Sequence, residues 1–422
     1  MAMTFDQIAS GRRPSEGVSF LPEPERRDRS LLVVSVDDHL VEPPHTFEGR
    51  MPAQYADRAP TVVELPEGGD AWTYDGQLLP NIGMNAFAGR PPSEWSSDPT
   101  RFDEMRRGSW DIHARITDMD LDGVYASLCF PSFLTGFGGV RLQTTTKDLG
   151  LGLAAVRAWN DWVAEEWAGS YPDRIIPLGI TWLHDPVIGA EEVRRNAARG
   201  FRALSFPEVT DPHGWPSIHT DHWDPIFQAC EETGTVLCLH VGSGGGLPPC
   251  SPGAPPDVPA VLFGTYASMY AVEWLYSLVA VRFPDLKICL SEGGIGWVAS
   301  LLDRLEHMVR YDDMLQTWSG LDVTPAEAFR RNFYFCALDD PSGWVHRYRI
   351  GVDHLMVEVD YPHGDGTWPD TQAALQRQME GLDPLEVEKF TWRNASDMLQ
   401  FPIPEAIQKD LNAFGQPVGH GG

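Results

Sequence analysis

Residues 31–44 read LLVVSVDDHLVEPP, and this stretch decides the fold. An apolar, β-branched run (31–36) passes without a turn into Asp37-Asp38-His39, so the pattern predicts a strand whose last residues are polar. Along an extended chain, residues two apart share a face; Asp37 and His39 therefore project together, and Asp38 projects away from them.

Seven further runs of the same kind follow: VYASLCF (124–130), IIPLGIT (175–181), FRALSF (201–206), TVLCLH (235–240), LKICLS (286–291), NFYFCA (332–337) and LMVEVD (355–360). Helical patterns separate them, among them 149–170, 185–200, 222–234 and 297–315. Eight strands alternating with helices fit an α/β fold of the TIM-barrel type, (β/α)8, better than a doubly wound sheet. No glycine fingerprint for phosphate binding follows the first run, which lowers the nucleotide-binding alternative. The expected organisation is an arm at 1–30, a barrel at 31–402 and a tail at 403–422 that frays. Between the first strand and its helix, 41–110 form an insertion dense in Pro, Gly, Trp and Asn. So long a loop in a compact domain implies a role as a lid, a subunit contact or both, and a homo-oligomer, in its simplest form a homodimer, is expected.

The chain has 422 residues, with 60 acidic and 32 basic side chains and a net charge of −28. That excess repels nucleic-acid backbones and anionic lipid surfaces, so neither is an expected partner. No apolar stretch is long enough to span a bilayer, and the N-terminal sequence lacks the apolar core of a signal peptide. The six cysteines are scattered without a CxxC pair, and four lie in apolar runs, which points to a reducing, cytoplasmic setting.

Barrel active sites lie at the C-terminal strand ends. Those ends carry Asp37 and His39 on strand one, His240 on strand five, Glu292 after strand six, and Asp360 with His363 beyond strand eight. Imidazoles mixed with carboxylates form a ligand set suited to one divalent ion, zinc, manganese or iron(II). The other readings of these residues are a satisfied core histidine, a loop cap and a helix-capping carboxylate.

These segments resemble the amidohydrolase superfamily, within it the amidohydrolase-related branch that includes aminocarboxymuconate semialdehyde decarboxylase and the resorcylate and vanillate-type decarboxylases. The resemblance runs over roughly 31–402 and rests on VSVDDHLVEPP, RITDMDLDGVYASLCFPS, GFRALSFPE, WDPIFQACEETGTVLCLH, FPDLKICLSEGGIGWV, LMVEVDYPHGDGTWP and NASDMLQFP. It implies that His39, His240 and Asp360 hold a single divalent metal, with Asp37 standing where the first histidine of an HxH pair usually is. Glu292 stands where the strand-six histidine is commonly found. Two carboxylates thus replace imidazoles, which makes the site harder and shifts its preference from zinc toward manganese or iron(II). Glu292 becomes a candidate proton-handling group, in direct contact with the metal or beside it. No lysine ends strand four, where Pro207 and Glu208 follow, so a mononuclear centre is favoured over a lysine-bridged pair.

The implied activity is non-oxidative decarboxylation of a small cyclic or aromatic acid, with Asp360, Glu292 and His363 as catalytic candidates. Hydrolysis of an amide, ester, lactone or carbon–carbon bond is the close alternative, and a barrel that only binds or assembles is the third. Asn81, Asn85 and Arg90 of the insertion are candidates for reaching over the site to an anionic substrate. The remaining histidines considered, including His113, His184, His213 and His354, read as surface or structural groups. Trp159, Trp162 and Trp167 read as a packing stripe, and Glu231-Glu232 and Asp312-Asp313 as solvated faces.

Overall fold

The computed structural model of the protein describes residues 3–4, 18–66, 68–95, 98–255, 257–311 and 316–415. Asp312, Asp313, part of the arm and the terminal QPVGHGG lie outside them. All eight apolar runs form strands, in chain order Val34–His39, Ala126–Phe130, a third in two pieces (Ile175–Ile176 and Leu178–Gly179), Ala203–Ser205, Val236–His240, Ile288–Ser291, Phe333–Ala337 and Leu355–Val357. Neighbouring strands pair in parallel. The third strand is split at Pro177, which has no N–H to donate to a ladder; its first piece pairs with strand two and its second with strand four.

The circle closes between strands eight and one. His39 N–H donates to the Tyr361 carbonyl at 2.7 Å, Asp360 N–H to the Asp37 carbonyl at 2.9 Å, and Val359 N–H to Ser35 Oγ at 3.0 Å. The fold is a TIM barrel. Its closing seam is made by the very residues expected to carry chemistry.

Strand interiors alternate as a barrel requires. Leu237 and Leu239 face the helices, whereas Val236 and Cys238 face the lumen with Val34, Val36, Cys289, Cys336 and Met356. On strand one the register against strand two slips between Ser35 and Asp38, so Val36 and Asp37 oppose a single partner residue. This bulge lets Val36 pack inside the barrel and still turns Asp37 and His39 inward above it. Helices on the outside start at side-chain caps: Asp111 accepts from Ala114 N–H, Asp148 from Gly150 and Leu151, Asp185 from Val187 and Ile188. Trp159, Trp162 and Trp167 are buried in the main core, as the packing-stripe reading required.

Two expectations change. The insertion is not a bare loop. Thr61–Glu64, Asp70–Tyr74 and Gln77–Pro80 form an antiparallel three-stranded sheet. Its second hairpin turns at Asp75-Gly76, both at positive φ (51° and 74°), the turn type that suits tight hairpins. Trp72 and Tyr74 from the middle strand bury themselves in the main core, and the Trp72 ring meets Phe47 edge-on at 5.9 Å. The tail, over 403–415, does not fray either. Ile403, Ile407 and Phe414 cover the barrel floor together with Trp392 and Phe401. Arm residues Arg26 and Arg29 hold it there by donating to the Phe414 carbonyl at 3.1 and 2.7 Å. Among the described residues no helix is long and apolar enough to cross a membrane.

Because the inserted sheet shares the barrel's core, Trp72→Ala is expected to cost about 3–5 kcal/mol of global stability. Denaturant unfolding followed by fluorescence and circular dichroism should still show one coincident transition, shifted to lower midpoint. An early separate transition for the insertion would contradict this.

Candidate metal centre

Strand ends one, five and eight bring Asp37, His39, His240 and Asp360 together, all buried. His39 Nε2 and His240 Nε2 face each other at 3.0 Å. Asp37 reaches both rings, Oδ1 lying 3.7 Å from His39 Nε2 and Oδ2 3.6 Å from His240 Nε2. Asp360 Oδ1 lies 3.4 Å from His39 Nε2. On the other side of its ring, His240 holds Nδ1 2.7 Å from the Val241 carbonyl, which keeps that nitrogen protonated and turns the Nε2 lone pair inward. Phe137 flanks both imidazoles, at 4.7 and 4.4 Å between ring centroids, and shields them from water.

These side chains fit a divalent cation. Both carboxylate oxygens of Asp37 and Oδ2 of Asp360 are buried and accept no hydrogen bond. A proton shared between the two imidazoles would satisfy those rings and leave both Asp37 oxygens and Asp360 Oδ2 unmet. Burial pushes the His240 pKa down to about 3 and that of His39 well below its usual range, so neither ring supplies a positive charge near neutrality. Burial first, then the neighbouring acids, pushes Asp37 and Asp360 well above the carboxylate range. A positive ion amid these atoms removes every one of these penalties together.

Glu292 stands at the mouth of the cluster. Its Oε2 is 3.5 Å from His240 Nε2, and its side chain keeps 11% of its surface exposed. Burial, with Asp360 and Asp365 nearby, pushes its carboxyl well above the usual range. Glu292 and Asp360 both sit at positive φ (59° and 58°), a region that non-glycine residues rarely adopt and that costs on the order of 1–3 kcal/mol. Glu292 directly follows strand six, and Asp360 lies three residues past the end of strand eight. His363 supports Asp360, with Nδ1 2.9 Å from Oδ1, and stacks on His39 at 3.9 Å between centroids.

The insertion lies against this same site. Phe87 N–H and Ala88 N–H both donate to the Pro362 carbonyl at 3.0 Å, and Ala86 bridges His363. Asn85, also at positive φ (59°), points Nδ2 toward Asp365 Oδ1 at 3.4 Å, while Asn81 donates to Asp98. Arg90 is placed differently from its sequence reading. It is buried within the insertion, Nε 3.5 Å from Glu94 Oε2 and Nη2 donating to the Glu94 carbonyl, so its charge is met there. Of the structural histidines, His213 contacts the Gly244 carbonyl at 2.6 Å and His354 the Phe333 carbonyl at 3.0 Å.

Sequence reasoning passed over three groups. Glu358, two residues before Asp360, shares its face and lies one layer deeper. Arg115, on the helix Ile112–Asp122 outside the barrel, donates to the carbonyls of His39 and Gly108 and to Cys129 Sγ, with its guanidinium 4.3 Å from the Tyr361 ring. It thereby fixes the ends of strands one and eight. Glu208 is buried after strand four and accepts Gly242 N–H at 2.8 Å beside His240's loop. The i−2 spacing gave a signal for Glu358; nothing local did so for Arg115.

The amidohydrolase family profile matches residues 55–401, and the chain belongs to that family. None of the curated proteins compared matches. Among solved structures, an amidohydrolase from Mycobacterium avium subsp. paratuberculosis K-10 is 21% identical, covering 88% of this chain and 100% of its own, with a TM-score of 0.67. A 5-carboxyvanillate decarboxylase from Novosphingobium aromaticivorans, complexed with manganese and 4-hydroxy-3-methoxy-5-nitrobenzoic acid, is 19% identical over 90% and 100% (TM-score 0.62). A dihydroxybenzoic acid decarboxylase from Polaromonas sp. JS666, with bound manganese and 2-nitroresorcinol, is 16% identical over 91% and 99% (TM-score 0.60). The protein is an enzyme of the amidohydrolase-related class.

Buried acids whose pKa is raised hold protons in the native state that the unfolded chain has released, so their stabilisation is lost as pH rises through the folded value. Asp122 and Glu358, both pushed up to about 7 by burial, place that loss near neutrality. The depressed histidines oppose it only below their ordinary value of 6.5. The metal-free protein is therefore expected to lose thermal stability as pH rises from 6.5 through about 7, and a divalent cation to raise its stability there. Melting temperatures in chelator and in Mn2+ check this; a rise across the window without metal would contradict it.

Proposed function

We propose that the chain is a divalent-metal-dependent decarboxylase of a small hydroxylated aromatic or cyclic acid, with one catalytic cation held by Asp37, His39, His240 and Asp360. The observation that carries this reading is the set of buried Asp37 and Asp360 carboxylate oxygens facing two imidazole nitrogens at the closing seam. The names of the fold relatives, decarboxylases with manganese, support the reaction class and the metal. When bound, the cation supplies Lewis-acid charge for the substrate's carboxylate and neighbouring oxygen.

The chain's own residues supply the rest. Glu292, at the mouth beside His240, is placed to give a proton to the ring carbon. The carbon–carbon bond to the carboxylate then breaks, its electrons restore the ring, and CO2 departs; Glu292 regains a proton from solvent. Asp360 holds its place through His363, whose ring stacks on His39 and keeps the ligand faces aligned. Phe137 excludes water from the inner side. Asn85, tied to Asp365, positions the insertion over the mouth. A cytoplasmic homo-oligomer acting on a small-molecule acid completes the reading.

Mn2+-loaded protein is expected to release CO2 from members of a hydroxybenzoate panel, with no solvent oxygen entering the product. Glu292→Gln should lower kcat by about 10²-fold or more while leaving bound metal in place. Uptake of ¹⁸O from labelled water without CO2 release would reassign the same residues to hydrolysis, in which Glu292 acts as base toward water.

A further inference from the structure

Beneath the paired imidazoles the lumen carries a second convergence of ligand-type atoms. Asp37, Cys336 and Glu358, from strands one, seven and eight, each place one such atom within 4.8 Å of the other two, and all three are buried. Cys336 Sγ lies 2.6 Å from Glu358 Oε2 and 3.4 Å from the Leu290 carbonyl. The same Glu358 oxygen accepts Glu292 N–H at 3.3 Å, so the group is joined to the upper site, with which it also shares Asp37.

Two observations point to a ligand here. Asp37 has two buried oxygens without a hydrogen-bond partner, and it is the residue common to the upper cluster and this one. Ser291 Oγ, also 1% exposed, has no partner; the rung after the Leu290–Phe335 pair brings Ser291 beside Cys336. Charge leads to the same place. Asp37, Glu292, Glu358 and Asp360 crowd one lumen, and among the described residues no lysine or arginine forms an ion pair with any of them. A single divalent ion at the imidazoles, held by Asp37 and Asp360, leaves Glu292 at the mouth and Glu358 below it without a cation.

We propose a second divalent cation site, held by Asp37, Cys336 and Glu358, with Asp37 shared between it and the upper cation. A thiolate among carboxylates favours zinc, with cobalt(II) as a faithful surrogate, over the harder manganese suited to the upper position. On binding, the sulfur–metal bond forms as the thiol proton leaves to solvent; no electrons are transferred. Lying one layer below the mouth, this ion touches no substrate and instead fixes Asp37. The proposal extends the single-cation reading of the upper site and does not depend on which reaction occurs there.

Purified full-length protein, stripped by chelator, is titrated with Co2+ alone while cobalt per chain and the near-ultraviolet sulfur-to-cobalt charge-transfer band are recorded. Two equivalents and a thiolate band are expected for the unaltered protein. Cys336→Ser should retain one equivalent and lose the band, with its circular dichroism unchanged; Glu358→Gln should weaken the same step. One equivalent without a band in the unaltered protein, or a band that survives in Cys336→Ser, overturns the second site and leaves the upper site standing. No bound cobalt at all overturns both. If Cys336→Ser does not fold, stoichiometry and band in the unaltered protein still decide.

Discussion

Carboxylates gathered in a barrel lumen without a basic counter-charge are the constraint on which the rest of the structure depends. Desolvating one ionised carboxylate costs several kcal/mol unless it is paired, and here four acids share one interior with imidazoles that burial keeps neutral. Only protons or metal cations can relieve that cost. Protons leave the oxygens of Asp37 and Asp360 facing each other's ligand neighbours rather than donors; a divalent ion meets them and the two Nε2 lone pairs together.

The backbone is arranged to serve this interior. The bulge in strand one allows a strand whose lower half packs Val34 and Val36 to present Asp37 and His39 inward at its top. Hydrogen bonds from Asp360 and His39 close the barrel at the same height, so seam and site cannot be separated. Left-handed backbone at Glu292 and Asp360 is strain retained where it aims carboxyls at the mouth. Arg115, bound to carbonyls rather than to the acids, steadies this ring from outside without quenching its charge.

Much of this was legible in the sequence because barrels repeat a simple pattern. Eight apolar runs gave eight strands, and the polar residues ending them gave Asp37, His39, His240, Glu292 and Asp360, which now converge. The departures have physical causes. The inserted sheet was hidden because its three strands are short and lie in a segment rich in Pro, Gly, Trp and Asn, although the alternation before Asp75-Gly76 carried a hairpin signal. Ile403, Ile407 and Phe414 are too sparsely spaced to announce a floor. Arg90 was read by charge alone, and its partner Glu94, four residues on, answers that charge locally. Arg115 could not be found, since its role depends on carbonyls brought near only by barrel closure.

The central claim is that the lumen's upper end is a cation site. Diffraction from crystals grown with Mn2+, collected on either side of the manganese absorption edge, tests it most directly. The account predicts an anomalous peak about 2.0–2.3 Å from ligand atoms of His39, His240 and Asp360, with Asp37 in the same shell. A fully folded barrel in which that position stays free of anomalous density at saturating Mn2+, with the four residues hydrogen-bonded only to one another, would contradict it.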